Sequence, residues 1–232
     1  TGSVRRLIVG EPIGVFYGYR FDGIFQNEEE CKQQTSSASP IGVGLRRYKD
    51  LNGDGKVDAA NDREILGDAN PKFFGGLTNT FAYKGFELNV FLQYSYGNKI
   101  LNYNAMELEN PTGGQNAYAD MVNRWTPENP SNIYPKATTN RALLVSDRFI
   151  EDGSYLKLKT LSLSYSFPKI NLKHIQGLRL YVTGQNLLTW TKYRGYDPEV
   201  SYRGASTLEA GEDFGGYPQS RTFMFGIKLD IK

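Results

Sequence analysis

Residues 86–96 read Phe-Glu-Leu-Asn-Val-Phe-Leu-Gln-Tyr-Ser-Tyr, and this alternation constrains the chain more than any other feature. Phe86, Leu88, Val90, Leu92, Tyr94 and Tyr96 fall on one side of an extended backbone. Glu87, Asn89, Gln93 and Ser95 fall on the other, and Phe91 is the one exception. Successive side chains point to opposite faces in a strand, so the segment is predicted to be β with one apolar and one polar face. A run of about eleven residues suits a tilted membrane-spanning strand, which needs about 9–11, better than an ordinary strand of five or six.

The pattern recurs along the chain. Residues 73–83 reach this strand through Lys84-Gly85, the chemistry of a two-residue hairpin. Leu161, Leu163, Tyr165 and Phe167 alternate with Ser162, Ser164 and Ser166, while Leu178, Leu180, Val182 and Leu188 oppose Arg179, Thr183 and Gln185. Phe223, Phe225, Ile227, Leu229 and Ile231 alternate with Met224, Gly226, Lys228 and Asp230. Upstream of Thr160 the apolar phase moves to Leu156 and Leu158, which predicts a β-bulge or a rim position. With residues 15–25 added, alternation predicts about six long strands. Their links are short at 84–85 and 168–177 and long at 97–152 and 192–220. Bacterial outer-membrane barrels have that asymmetry, with short turns on one side and long loops on the other.

Tyr94, Tyr96, Tyr103, Trp190, Tyr193 and Tyr196 gather near predicted strand ends, where an aromatic girdle at the membrane surface would place them. Core packing of aromatic rings is the competing explanation. Residues 116–125 form the single helix-like piece, with Tyr118, Met121, Val122 and Trp125 at helical spacing, and Pro127 and Pro130 ending it.

Other function classes find little support. Lys and Arg total 27 against 25 Asp and Glu, with no basic cluster, which gives no electrostatic reason to expect nucleic acid. The lone Cys31 lies in a polar stretch and reads as an incidental loop thiol, and the lone His174 sits in a turn-like segment, so zinc chemistry lacks ligands. There is no run of about 18 apolar residues for a transmembrane helix and no signal-peptide core at the start. Neither a nucleophile elbow nor a phosphate loop is present, and the acid pairs Glu151/Asp152 and Glu212/Asp213 read as loop or lumen charges. An enzyme is not expected.

Seven stretches, in order from residue 10 to the end, together resemble the C-terminal barrel region of the SusC/RagA-like TonB-linked outer-membrane transporters. They are Gly10-Glu-Pro-Ile-Gly-Val-Phe-Tyr-Gly-Tyr19 with Asp22-Gly-Ile-Phe25, Asp50-Leu-Asn-Gly-Asp-Gly-Lys-Val-Asp58, and Ile65-Leu-Gly-Asp-Ala-Asn-Pro-Lys-Phe-Phe-Gly-Gly76. Asp152-Gly-Ser-Tyr-Leu-Lys-Leu-Lys159, Gly184-Gln-Asn-Leu187, Gly195-Tyr-Asp-Pro198 and Tyr217-Pro-Gln-Ser-Arg-Thr-Phe223 complete them. The resemblance implies an all-β fold, residues 1–232 being the C-terminal portion of a large antiparallel transmembrane β-barrel of about 22 strands. Signal peptide and plug would then lie outside this sequence. It further implies import of oligosaccharides or peptides through the outer membrane, with a SusD-like surface lipoprotein as partner and TonB acting through the absent N-terminal part. Members of the family usually end in an aromatic residue, whereas this chain stops at Lys232. Trp125, Trp190, Tyr193 and Tyr196 are the candidate sugar-stacking residues, although anchoring at the interface explains them equally well.

Residues 50–58 also carry the one stretch with metal chemistry. Asp50, Asn52, Asp54 and Asp58 occupy positions 1, 3, 5 and 9 of a calcium loop, Gly55 takes the tight turn, and the carbonyl of Lys56 suits position 7. Position 12 is Asn61, and the acid, Asp62, comes one residue late. The reading is a structural Ca2+ that stiffens an outer loop; a polar Asx/Gly turn that binds nothing is the alternative. A second class of protein fits the same chain, a soluble calcium-stabilised carbohydrate-binding β-sandwich that buries Phe86, Leu88, Val90 and Leu92 against a second sheet.

Overall fold

The computed structural model describes residues 4–110, 116–139, 143–168, 175–200, 202, 206 and 209–231. His174, most of the 168–177 link and Lys232 lie outside the described residues. The chain divides into two units: Pro71–Gly97, Gly153–Pro198 and Tyr217–Lys232 form a sheet unit, and Thr1–Asn70, Asn98–Asp152 and Glu199–Gly216 form a loop unit.

The sheet unit contains β1 (Phe73–Tyr83), β2 (Phe86–Tyr96), β3 (Tyr155–Ser166), β4 (Ile175–Thr191) and β5 (Thr222–Ile231). They lie in chain order, each antiparallel to the next. The turn between β1 and β2 is the predicted two-residue hairpin, with Lys84 at φ 46° and Gly85 at φ 87°. Positive φ at both central residues is the type I′ signature, whose twist matches that of the flanking strands.

Register carries the sequence pattern through the sheet. Leu77, Leu92, Leu158 and Leu188 stand in one cross-strand row, and Phe81, Leu88, Leu163, Val182 and Phe225 in another. On the opposite face the row Thr80, Asn89, Ser162, Thr183 and Met224 is almost wholly polar. The apolar phase change predicted at Thr160 is a β-bulge: β3 slips against both β2 and β4 between Leu158 and Thr160. Because side chains alternate, one extra residue is what keeps Leu156 and Leu158 on the same face as Leu161 and Leu163. Facing it in β4, Asn186 adopts φ 52°, a left-handed conformation that Asn tolerates better than most residues.

Nothing among the described residues seals the apolar face. Phe225 is 82% exposed, Ile227 68% and Leu77 53%, and Leu229 and Leu188 are also open. A sandwich would have buried these side chains against a second sheet. The soluble sandwich reading is therefore corrected: the face is apolar, continuous and uncovered. Two aromatics on the polar face lie against glycine, as the missing Cβ permits: a Cβ on Gly76 would lie 2.7 Å from the Phe91 ring, and Tyr181 covers Gly226. That packing accounts for Phe91, the exception in the alternation.

Aromatic clusters mark both ends of the apolar face. Phe73 stacks on Tyr96 at 4.9 Å and meets Tyr94 edge-on at 6.2 Å. At the hairpin end, Phe86 lies 4.5 Å from Tyr165, which lies 4.8 Å from Phe167. From Phe86 to Tyr96 the strand spans about 34 Å, or about 26 Å along the normal at a tilt of about 40°, which matches the height of an outer-membrane apolar band.

The loop unit is made of small pieces. Val15–Tyr19 pairs with Arg5–Arg6 and Arg63–Gly67, and Phe21–Ile24 pairs with Arg46–Tyr48. Lys99–Asn102 runs antiparallel to Ile150–Asp152 and parallel to Glu212–Asp213. Phe16, Leu101, Ala105, Met106 and Phe149 form its main core. Residues 15–25 are thus two short strands with different partners, and among the described residues the long strands number five, against the expected six or so. Val15, Phe16, Tyr19, Ile24 and Phe25 are all buried, so this is core on both faces and not a half-apolar wall. Residues 116–125 contain only the 3-10 turn Ala119–Asn123, with Met121 buried. They are not the single helical piece, because Glu28–Gln33 and Tyr103–Leu108 are short α-helices. Each is six residues, too short for helical periodicity to show. Cys31 sits in the first of these and not in a loop, and burial followed by the nearby Glu28 and Glu30 charges pushes its thiol pKa up.

The apolar face makes a direct prediction. In the full-length protein reconstituted in lipid, Val90→Arg, at mid-depth of the apolar face, is expected to cost about 2–4 kcal/mol in urea unfolding, and Thr78→Lys at similar depth on the opposite face far less. Equal costs would show that the two faces do not see different solvents.

Candidate functional site

The polar face of the sheet unit is a hydrogen-bonded surface. The Ser162 and Thr183 hydroxyls lie 2.7 Å apart, and Asn89 donates to Thr80 at 2.9 Å. Near the hairpin end, Arg179 donates to Glu87 at 2.5 Å and to Ser164 at 2.7 Å. Lys157 lies one step from the bulge on this face. It is 2% exposed and donates at 2.5 Å to Asp197, which is 6% exposed. The other oxygen of Asp197 accepts from the Gln219 amide at 3.1 Å. This one carboxylate therefore ties together three of the stretches quoted above, those around Lys157, Asp197 and Gln219. Sequence reasoning had not singled out Lys157 or Asp197, since neither spacing nor composition marks two residues forty apart as partners.

The candidate sugar-stacking residues are not assembled into one cleft within either unit. Trp190 stands on the apolar face, paired across from Leu156 and half exposed, a position suited to anchoring at a membrane interface. Tyr193 is buried at 5% exposure, whereas Tyr196 is 81% exposed. Trp125 belongs to the loop unit, where its indole N–H donates to Gln26 at 3.0 Å. Of the expected girdle, Tyr94, Tyr96 and Trp190 lie on strands. Tyr103 instead begins a helix of the loop unit and meets Phe214 edge-on.

Residues 50–62 form a chain of Asx turns. The Asp50 carboxylate accepts from Gly53 and Gly55 at 2.7 Å each, and Asp54 accepts from the Lys56 amide at 2.8 Å. Gly53 and Gly55 adopt φ 77° and 82°, as the tight loop requires. Asp58 accepts from Ala60 and Asn61 at 2.9 Å each. Desolvation works against the charge on Asp50, but the Gly55 and Gly53 amides outweigh it and hold its pKa below the ordinary 3.8. The Asn61 and Ala60 amides do the same for Asp58. Asp62 is fully buried and accepts from Leu51 at 2.8 Å and Asp58 at 2.7 Å, so it closes the loop on itself. Among the described residues no three His, Cys, Asp or Glu side chains converge as a metal cage. What the loop does offer is the right kind of donor, hard oxygens on Asp50, Asn52, Asp54, Asp58 and the Lys56 carbonyl.

A long antiparallel meander with one open apolar face, one polar face, and its long links all at one end is the wall of a membrane β-barrel, left unclosed in this segment. No family model matches the sequence. Its homologues are TonB-dependent receptors. The chain is 40% identical over 226 residues to TonB-dependent receptor P3 of Formosa agariphila, covering 95% of this chain and 22% of that protein. It is 33% identical to receptor P26 of the same organism, covering 97% and 23%. With TonB-dependent receptor SusC of Bacteroides thetaiotaomicron the identity is 28% over 192 residues, 79% of this chain and 17% of SusC. The solved RagAB peptide transporter has the same fold, at a TM-score of 0.74 and 24% identity over 98% of this chain and 24% of that one. The chain thus spans about a quarter of the length of its relatives, and these are receptors and transporters, not enzymes.

Removing one partner of a buried ion pair is destabilising. Lys157→Met is expected to cost about 3–5 kcal/mol in unfolding of the full-length protein, and the double change Lys157→Met/Asp197→Asn to recover most of it while keeping an acceptor for Gln219. Equal losses for the single and double variants would mean that charge pairing is not what holds this loop.

Proposed function

We propose that this chain forms the C-terminal strands and outer loops of a TonB-dependent importer in the outer membrane, taking up oligosaccharides or peptides with a SusD-like lipoprotein. The observation that carries this reading is the uncovered apolar face over five strands of 10–17 residues, on a chain 40% identical to a TonB-dependent receptor. Barrel strands contribute wall and lumen. Energy from TonB would enter through segments outside these residues, so no residue here is assigned to coupling. Of the four candidate stacking residues, Tyr196 is the most exposed and would touch substrate, and Trp190 anchors the wall.

The test uses the full-length protein. It is expected to fractionate with outer membranes, to need detergent, and to co-purify with a lipoprotein. Uptake of labelled oligosaccharide or peptide should vanish when TonB is deleted. Tyr196→Ala should weaken substrate affinity several-fold with little change in the amount of folded barrel. Purification as a detergent-free monomer would defeat the reading.

For the 50–62 loop we propose one structural calcium, held by Asp50, Asn52, Asp54, the Lys56 carbonyl and Asp58, with Asp62 retaining the loop closed. Support comes from the spacing and the hard-oxygen donor set. Elemental analysis of the purified protein should find about one calcium per chain from this loop, lost in Asp54→Ala; unchanged metal content in that variant removes the proposal.

A further inference from the structure

Within the loop unit, the strands Val15–Tyr19 and Arg63–Gly67 contribute Tyr17, Tyr19 and Arg63 to the lining of a cavity of about 530 Å³. Met106, Leu143 and Val145 supply part of its apolar wall. Backbone bonds hold the walls together: the Tyr19 amide donates to the Val145 carbonyl at 2.9 Å, and the Tyr17 amide to that of Val4 at 2.9 Å. A volume of this size falls in the range that takes a small ligand. Most of the lining side chains are aliphatic, and among the described residues no carboxylate lines the cavity.

The polar groups of the lining gather in one place. Arg63 stands across the strand pair from Tyr19 and lies over the Tyr17 ring at 5.3 Å, and Arg6 lies over the same ring at 4.6 Å. Neither arginine makes an ion pair among the described residues, whereas Arg5 and Arg20 both do. Tyr19 is 6% exposed and its ring packs on Tyr48 at 5.6 Å, yet among the described residues its hydroxyl has no hydrogen-bond partner. Buried hydroxyls are nearly always partnered. Burial pushes the Tyr19 pKa up, Arg63 acts against that shift, and Asp58 and Asp62 act with it. The two acids are already engaged by backbone amides, Asp58 by Ala60 and Asn61 and Asp62 by Leu51 and Asp58. Glu107 follows Met106 on its helix but does not line the cavity.

Such a lining suits a ligand with two parts. Arg63 and Tyr19 can donate to an anionic acceptor, and charge-assisted bonds to a carboxylate are the strong ones. The aliphatic wall calls for an apolar body. An oligosaccharide fits poorly, because its many hydroxyls would be buried there without partners. We infer that this cavity binds a carboxylate carried on an apolar body, the free C-terminus of a short peptide ending in a large apolar residue. The carboxylate sits against Arg63 and Tyr19, and the side chain against Met106, Leu143 and Val145. This inference rests on the import reading and narrows its substrate to peptides.

Titration of the full-length protein in detergent with a fluorescently labelled peptide ending in leucine, free or amidated at its C-terminus, tests it. The free peptide is expected to bind about ten-fold more tightly than the amidated one. Arg63→Met should remove that preference. Tyr19→Phe, which keeps the ring and removes the donor, should reduce it several-fold and decides the matter where the arginine variant does not fold. Decanoate carries the same chemistry on a different body and is expected to bind more weakly than the free peptide. Equal affinity for free and amidated peptide, a preference unchanged in the variants, or tighter binding of decanoate or of an oligosaccharide overturns the inference. TonB-dependent uptake of labelled oligosaccharide and peptide by cells, measured alongside, reports separately on the import reading.

Discussion

The structure depends on keeping one face of five neighbouring strands almost wholly apolar, with Asn79 the exception in the row through Val90 and Leu161. A strand alternates strictly, so a slip of one residue anywhere would turn a whole apolar row toward the wrong side. The chain meets this constraint at one difficult place, the bulge between Leu158 and Thr160, with Asn186 opposite it in a left-handed conformation. Above and below that point the rows through Leu158 and through Leu163 continue without a break. The polar face is under no such demand, and it mixes hydroxyls, ion pairs and two glycine-packed rings.

The two units answer to different physics. In the loop unit a core is hidden in the ordinary way, although Leu7, Val9 and Val122 are exposed: Phe16, Leu101 and Phe149 have no exposed surface, and Arg5 pairs with Glu212. In the sheet unit the largest apolar side chains are the most exposed. Lipid in place of water resolves the contradiction, because exposure to hydrocarbon is not the penalty that exposure to water is. The aromatic pairs at either end of the band, around Tyr96 and around Tyr165, then fall where ring and hydroxyl meet different media.

The strands of the wall were legible in the sequence because their signal is local and long. Eleven alternating residues in β2 cannot be mistaken for a helix, and Lys84-Gly85 announces its turn. The same rule misread residues 15–25, where Val15, Phe16 and Tyr19 are all buried and alternation has no one-sided environment to report. Six-residue helices left no periodic trace. The Lys157–Asp197 pair was invisible for another reason. It joins residues 40 positions apart, and single-sequence spacing carries no information about such meetings. The 50–62 loop falls between these cases: its turns were readable from Asp, Asn and Gly, while the inward turn of Asp62 was not.

The order of the sheet has a consequence for how such a wall is made. Each long strand pairs only with strands adjacent to it in the chain, so within this sheet no distant segment has to be found. Assembly can therefore proceed like a zip, each arriving hairpin templated by a neighbour already in place. Until the ring is complete, however, two rows of unanswered backbone groups remain at β1 and β5. An unfinished wall is adhesive at both margins, and the cell must shelter it until closure.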